Sequence, residues 1–405
     1  MASSPTPARS PDGYFVAAIV AAQALVQIGA FTLPALLPGY IQRWDLSKTD
    51  AGWLIGIFFA AYVCAVPLLV AMTDRWPSRR VYLAGAALTA LSHLGFVVWA
   101  DGFWSAFLLR AIAGIGWAGC YMPGLKVLAD TREGAAQSRA VSFHAAGVGF
   151  AGAASFAVSG LMNLLAGPAA AFLFGAVAAC CAFAIALAVM PRSLPPRARQ
   201  PVSALLDFRP VVRNRAAMGW IAGYTVHTWE LAAARAFGVT FLTMTAARVG
   251  APDWWPDATL LFTLAGFAGI AVSVTGNELA QKIGRLRVVT TAMGCAAALS
   301  LITGWSTGVS TPLAAALLLL WNASIYIDSS TLTAGAVQAA EPERRGATMG
   351  LHSMCGYAGG FVGPLGVGLA LDLSGGDSAL GWGLGFGHLA VVTALGFLVL
   401  RRFSR

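Results

Sequence analysis

Long apolar runs recur along the whole chain, each closed by a short polar stretch rich in arginine, glycine or proline. A helix that crosses a bilayer needs roughly 20 apolar residues. Twelve segments meet that requirement: 14–42, 50–72, 80–101, 103–126, 138–165, 168–190, 215–245, 256–280, 287–307, 310–336, 346–372 and 380–401. An even number of crossings puts both chain ends on one side. The distribution of positive charge then selects the side, because cytoplasmic loops collect Lys and Arg. With cytoplasmic ends, 21 of the 26 basic residues fall on cytoplasmic segments or helix ends, Arg43, Lys48 and Arg248 fall outside, and Arg110 and Arg235 lie within helices. Trp44, Trp53, Trp99, Trp104, Trp254, Trp255 and Trp382 cluster near the outer helix ends, as an interfacial aromatic belt requires.

Composition agrees with a membrane protein. Of the 405 residues 58% are hydrophobic and only 11% charged, with a mean hydropathy of +0.72; a soluble domain carries about 25% charged residues. The formal charge of +9 would suit nucleic acid, but the basic residues sit in short loops between apolar segments and form no basic face, so nucleic acid is set aside. The six cysteines all lie inside apolar stretches without paired spacing, which suggests neither disulfides nor a zinc site. Nothing in the sequence implies a metal or a cofactor. Residues 1–13 read as a disordered cytoplasmic tail. Arg outnumbers Lys 23 to 3, which hints at a GC-rich genome and so at a bacterial inner membrane.

The longest connection, 191–214, holds five prolines and Arg192, Arg197, Arg199, Arg209 and Arg213 against the single acid Asp207. It divides the chain into a six-helix unit at 14–190 and a second at 215–405. The two units repeat each other faintly. A shift of 207 residues takes Asp74-Arg75 to Gln281-Lys282, Arg80 to Arg287 and Gln23 to Glu230, and a shift of 208 superposes the glycine-rich runs Gly147–Gly160 and Cys355–Gly368. Internal repeats of this kind are common in secondary transporters.

Between the second and third segments the chain reads Thr73-Asp74-Arg75-Trp76-Pro77-Ser78-Arg79-Arg80, and at the repeat offset Gly276-Asn277-Glu278-Leu279-Ala280-Gln281-Lys282-Ile283-Gly284-Arg285. This pair resembles the signature loop of the major facilitator superfamily, with Val70 and Pro77-Ser78 standing where that loop has glycines and Gln281 where it has aspartate. In the fourth segment, Arg110-Ala-Ile-Ala-Gly114-Ile-Gly116 is similar to the superfamily's Arg-x-x-x-Gly-x-Gly pattern. The resemblance spans about 14–402. It implies an all-α membrane fold of twelve helices in two pseudo-symmetric six-helix bundles, which rock around a midplane site. It also implies a latch in which Asp74, helped by Arg75, Arg79, Arg80, Gln281 and Lys282, meets the positive start of the eleventh helix near Gly346. The family's antiporter signature, a Gly-Pro run on the fifth helix, is absent from 138–165.

The seventh segment carries the densest chemistry: Tyr224, His227, Thr228, Trp229, Glu230 and Arg235. An intramembrane ionisable group is costly unless it faces protein, water or a partner, and it marks function by default. Glu230 lies near mid-membrane with His227 three residues earlier on nearly the same face. In the tenth segment, Asn322, Ser324, Tyr326 and Asp328 form a second polar patch. The resemblance places the first and seventh helices at the central cavity, which adds Gln23 and Gln27. The expected substrate-binding set is therefore Arg235, Arg110, Gln23, Gln27, Trp229 and Asn322, and the expected proton-coupling set is Glu230, His227 and Asp328. The blander alternative is a structural hydrogen-bonded knot between the halves.

Motifs for nucleotide binding, nucleophilic catalysis or zinc hydrolysis are missing, so the expectation is a non-enzymatic secondary transporter, a monomer in the lipid bilayer that moves a small molecule with protons. The charges within the helices formally cancel, but protonation of one carboxylate leaves a net positive cavity suited to an organic or inorganic anion. Proton-driven efflux of hydrophobic metabolites or drugs is the transporter alternative. A non-transporting sensor with the same fold is the alternative of another class.

Overall fold

A computed structural model describes residues 11–73, 75–192 and 207–403. The tail at 1–10, most of the expected linker (193–206) and Asp74 lie outside the described residues. The first crossing is built from α1 (Pro11–Gln27) and α2 (Thr32–Arg43). Then follow α3 (Lys48–Met72), α4 (Ser78–Val98), α5 (Phe103–Thr131), α6 (Gly134–Ala166) and α7 (Pro168–Val189). After the short α8 (Arg209–Arg213) come α9 (Arg215–Val249), α10 (Ala258–Ile283), α11 (Arg285–Trp305), α12 (Thr311–Ala339), α13 (Arg345–Leu373) and α14 (Ala379–Phe403). Among the described residues eleven crossings are long and apolar enough to span a membrane, by length and composition alone. The twelfth is α9, whose His, Glu and Arg lower its hydropathy. The chain has twelve membrane-spanning helices in two pseudo-symmetric bundles of six.

The sequence predicts one uninterrupted first crossing, but the chain leaves helical geometry at residues 28–31. Pro34 explains the break. Proline lacks an N–H and its ring collides with the carbonyl four residues back, here that of Ala30. The backbone groups released in this way must be met inside the protein, since lipid offers no partner. Arg110 Nη1 donates to Ala30 O at 3.2 Å, His93 Nε2 lies 3.0 Å from Gly29 O, and Phe31 N donates to Ser155 Oγ at 3.1 Å. A side chain at Gly29 would collide with the His93 ring, so glycine is required there.

Helix ends follow their local chemistry. Ser47 and Asp50 form a reciprocal capping box at the start of α3, and the Asn214 side chain accepts from Ala217 N to start α9. Gly250, at φ +78°, ends α9 in a conformation that other residues rarely adopt.

The core shows how the halves meet. One cluster, containing Ile19, Tyr82, Cys120 and Ala182, belongs wholly to the first half near the termini. Another, containing Trp220, Val289, Leu332 and Leu400, belongs wholly to the second half at the same end. The largest cluster crosses from half to half and includes Phe31, Phe58, Phe156, Phe237, Phe262 and Trp382. The halves therefore share a core at mid-depth and toward the face opposite the termini, and keep separate cores at the termini end. That opposite face is also clasped by polar contacts. Asp372, at the end of α13, accepts from the backbone N–H groups of Lys48 and Thr49 at 3.0 and 2.8 Å, and Lys48 Nζ pairs with Asp377 at 2.8 Å. A carboxylate at a helix start gains from the partial positive charge there.

Replacing Asp372 with asparagine should loosen this clasp by about 1 kcal/mol. In sealed vesicles, a cysteine substituted for Leu231 should then label faster from the face opposite the termini than in the parent protein. An unchanged labelling rate would remove the clasp from the closing contacts.

Candidate functional site

A cavity of about 570 Å³ lies between the halves. Its walls come from α3, α5, α6, α9, α10, α12 and α13, and each lining residue sits at mid-length of its helix or nearer the termini. With a shared core on one side and separate cores on the other, the cavity belongs to a state opened toward the termini. Aromatic rings contribute to its surface: Phe59, Tyr121, Tyr224, Tyr326 and Tyr357. Among the described lining residues Arg235 is the sole arginine or lysine, His227 is the sole histidine, and no carboxylate is present.

Arg235 is half-buried. Its Nη2 donates to the Tyr326 hydroxyl, and its guanidinium carbon lies 5.0 Å from the Phe31 ring centroid and 5.7 Å from that of Tyr326. Among the described residues no carboxylate pairs with it. Cation–π contact supports a guanidinium in low dielectric without neutralising it, so the positive charge remains exposed to the cavity.

The two buried acids stand behind the wall. Asp328 Oδ1 lies 2.8 Å from His227 Nδ1. Glu230 Oε1 accepts from Trp321 Nε1 at 2.6 Å and Oε2 accepts from Thr393 Oγ1 at 3.2 Å. Glu230 thus meets α12 and α14 and is hydrogen-bonded to neither His227 nor Arg235, while His227, with Nδ1 against Asp328, also lines the cavity. Tyr224 stacks on His227 at 5.6 Å and on His352 at 3.9 Å, linking α9 to α13.

The other expected binding residues are dispersed. Asn322 Nδ2 donates to Ala265 O at 3.0 Å and ties α12 to α10. Trp229 Nε1 donates to His388 Nε2 at 3.3 Å. Arg110, 3% exposed, donates through Nε to Leu54 O at 3.2 Å as well as to Ala30, with the Phe58 ring at 4.6 Å. None of the three lines the cavity. Gln23 and Gln27 are buried in the first half and also lie off its surface.

Of the expected latch residues, Arg79 Nη2 donates to Leu187 O at 2.6 Å within its own half, and Arg75, Arg80, Gln281 and Lys282 are exposed. Asp74 lies outside the described residues. The sequence reading missed Trp321 and Thr393, the partners of Glu230, and the Lys48, Asp372 and Asp377 clasp. A tryptophan and a threonine in apolar segments carry no signal of such a role, whereas an acid at each of two outer helix ends was a readable one.

A family model described as Major Facilitator Superfamily matches residues 19–364. The chain belongs to that superfamily. Mouse and human proteins named Monocarboxylate transporter 11 are 32% identical over 130 residues and 31% identical over 132. Each match takes in 31% of this chain and less than a third of the relative, 29% and 28%. Solved structures of the superfamily resemble the whole chain. A bacterial homolog of the human lysosomal transporter Spinster, inward-facing and unoccupied, gives a TM-score of 0.77 at 15% identity, covering 98% of both chains. The nucleoside transporter NupG gives 0.75 at 14%, covering 96% of this chain and 98% of its own. The human organic anion transporter MFSD10 gives 0.65 at 18%, covering 96% and 99%. At these identities the likeness is one of fold; the family match makes this chain a multi-pass membrane transporter of the superfamily.

The geometry separates two roles for Arg110. Arg110→Met leaves the Ala30 carbonyl, which Pro34 cannot serve, without its donor, at about 1–3 kcal/mol, and removes a second donor from the Leu54 carbonyl, so the melting temperature should fall. The surviving folded fraction should keep its ligand affinity. Lost affinity at unchanged thermal stability would instead make Arg110 a binding residue.

Proposed function

We propose that this transporter carries a small organic anion together with a proton, by alternating access, across a bacterial inner membrane with both chain ends in the cytoplasm. On that orientation the described state is open to the cytoplasm. The observation that carries the reading is the cavity wall: an arginine without an acidic partner among aromatic rings, with both buried acids set behind it. The formal cancellation of charge among the helices does not extend to the surface that a ligand touches. A guanidinium offers a carboxylate two parallel donors, and aromatic faces cover an apolar body. The names of the monocarboxylate and organic-anion transporters that the chain resembles point the same way.

In this reading Arg235 is the counter-charge of the anion. His227 and Asp328 form the proton-exchanging pair, since His227 opens onto the cavity and its partner acid is within 2.8 Å. Protonation of the pair adds positive charge beside the anion, so the two loads stabilise each other and reorient together. Glu230, held by Trp321 and Thr393, is the second candidate for the proton. The units 14–190 and 215–405 are the rocking bodies of a monomer, and Asp74 with the basic loop residues closes the cytoplasmic side in the alternate state.

Arg235→Lys keeps the charge and loses the planar pair of donors, so the dissociation constant for a bound organic anion should rise about tenfold, with folding intact, as measured by titration calorimetry. Equal binding by the variant would exclude Arg235 as the anion's partner.

Neutralising the proton site should separate exchange from accumulation. In proteoliposomes, Asp328→Asn should retain counterflow of substrate and lose uptake driven by a pH gradient, and Glu230→Gln tested beside it shows which acid carries the proton. Gradient-driven uptake with parental pH dependence in both variants would overturn proton coupling through these residues. Binding without any counterflow in the parent protein would favour a sensor.

A further inference from the structure

The first half contains a polar group that the proposed anion site leaves unused. Gln23 on α1, Tyr82 on α4 and His144 on α6 are each fully buried. Both amide atoms of Gln23, both ring nitrogens of His144 and the Tyr82 hydroxyl lack hydrogen-bond partners. The three side chains converge on one glycine of α5. A Cβ at Gly124 would lie 3.2 Å from His144 Nε2, 3.2 Å from a Tyr82 ring carbon and 3.6 Å from Gln23 Oε1. Tyr121, one turn earlier on α5, stands between this group and the cavity: its ring lies 5.5 Å from that of His144 and lines the cavity wall.

The internal repeat shows what is unusual here. Gln23 corresponds to Glu230 at a shift of 207, and His144 to His352 at 208. The second-half residues are at least partly satisfied inside the protein: Glu230 has Trp321 and Thr393, and His352 has Thr333 at 3.3 Å on Nε2 and the Tyr224 face, with only its Nδ1 unpaired. Their first-half counterparts keep their hydrogen-bonding capacity unspent. Native proteins satisfy buried polar groups unless function calls for them.

We propose that Gln23, His144 and Tyr82 form a second subsite, reached by displacement of the Tyr121 ring, which takes a hydroxyl group of the transported anion. The subsite rests on the anion reading of Arg235. An amide and a neutral imidazole each supply a donor and an acceptor, the pattern that a hydroxyl answers, and no opposite charge is present there to receive a second ionic group. With Arg235 at the carboxylate and Phe59, Tyr121, Tyr224 and Tyr357 around the body, the ligand class is a hydroxylated aromatic carboxylate.

Two acids differing by one hydroxyl test this. Titration calorimetry of the full-length protein should show 4-hydroxyphenylacetate binding about tenfold more tightly than phenylacetate, the worth of a good hydrogen bond to a buried group. Gln23→Leu should bring the two within about twofold by weakening the hydroxylated acid alone. Should that variant not fold, Tyr82→Phe removes a single oxygen and should shrink the ratio in the same direction. Equal binding of the two acids by the parent protein, or a ratio that survives both substitutions, overturns the subsite. Binding of neither acid overturns the ligand class. Arg235→Lys keeps the two ideas apart: weakening both acids alike supports the anion reading whatever becomes of the ratio, and a hydroxyl preference that persists with no loss of affinity sinks that reading while leaving the subsite standing.

Discussion

A bilayer supplies no hydrogen bonds, so each backbone N–H and C=O at membrane depth must find its partner within the protein. The twelve-helix architecture satisfies that demand almost everywhere by itself. Pro67, Pro123 and Pro364 each withhold one donor inside an unbroken helix, but the first crossing is where the ladder opens outright, at residues 28–31 before Pro34. Arg110, His93 and Ser155, from three other helices of the same half, close it again. Phe31 at the edge of the break packs on Phe156 and under Arg235. A proline in one helix thereby sets the position of the arginine's neighbours in another half.

Much of this was legible in the sequence, and the reasons differ from element to element. The crossings were readable because twenty apolar residues in a row have few other fates, and α9 was readable for the opposite reason, since its charges mark it among apolar neighbours. Arg235 and His227 both emerge on the cavity. Arg110 looked equivalent to Arg235 in the sequence, and nothing in its local pattern distinguishes a guanidinium that feeds carbonyls from one that faces a ligand. That difference depends on where Pro34 releases a carbonyl 80 residues away in the chain. The partners of Glu230 were hidden in the same way, since Trp321 and Thr393 are ordinary residues of apolar helices until folding brings them to the acid.

The separation of acids from the wall also alters how the charges count. Summed over the helices they cancel. Sorted by depth they do not: the carboxylates are absorbed by a histidine, an indole and a hydroxyl, and the guanidinium is held by rings that leave its charge intact. Coulomb interaction depends on distance and local dielectric, so this sorting, rather than net charge, sets the charge that the cavity wall presents.

The glycines of α13 lead to a different kind of conclusion. A side chain at Gly359 or Gly363 would collide with the carbonyls of Thr225 and Trp229 on α9, so these two helices of the second half lie backbone against backbone. Arg235 rides on one of them and Tyr357 on the other. If the halves rock as proposed, the cation and that ring move together on one half, and a ligand lying across both would meet one spacing throughout. What would vary during such a cycle is the opposing surface of Phe59 and Tyr121 on the first half. Recognition is then rigid on one side and adjustable on the other, so two ligands with identical heads and different bodies would be distinguished less by how tightly they bind than by how readily the carrier turns over with them aboard.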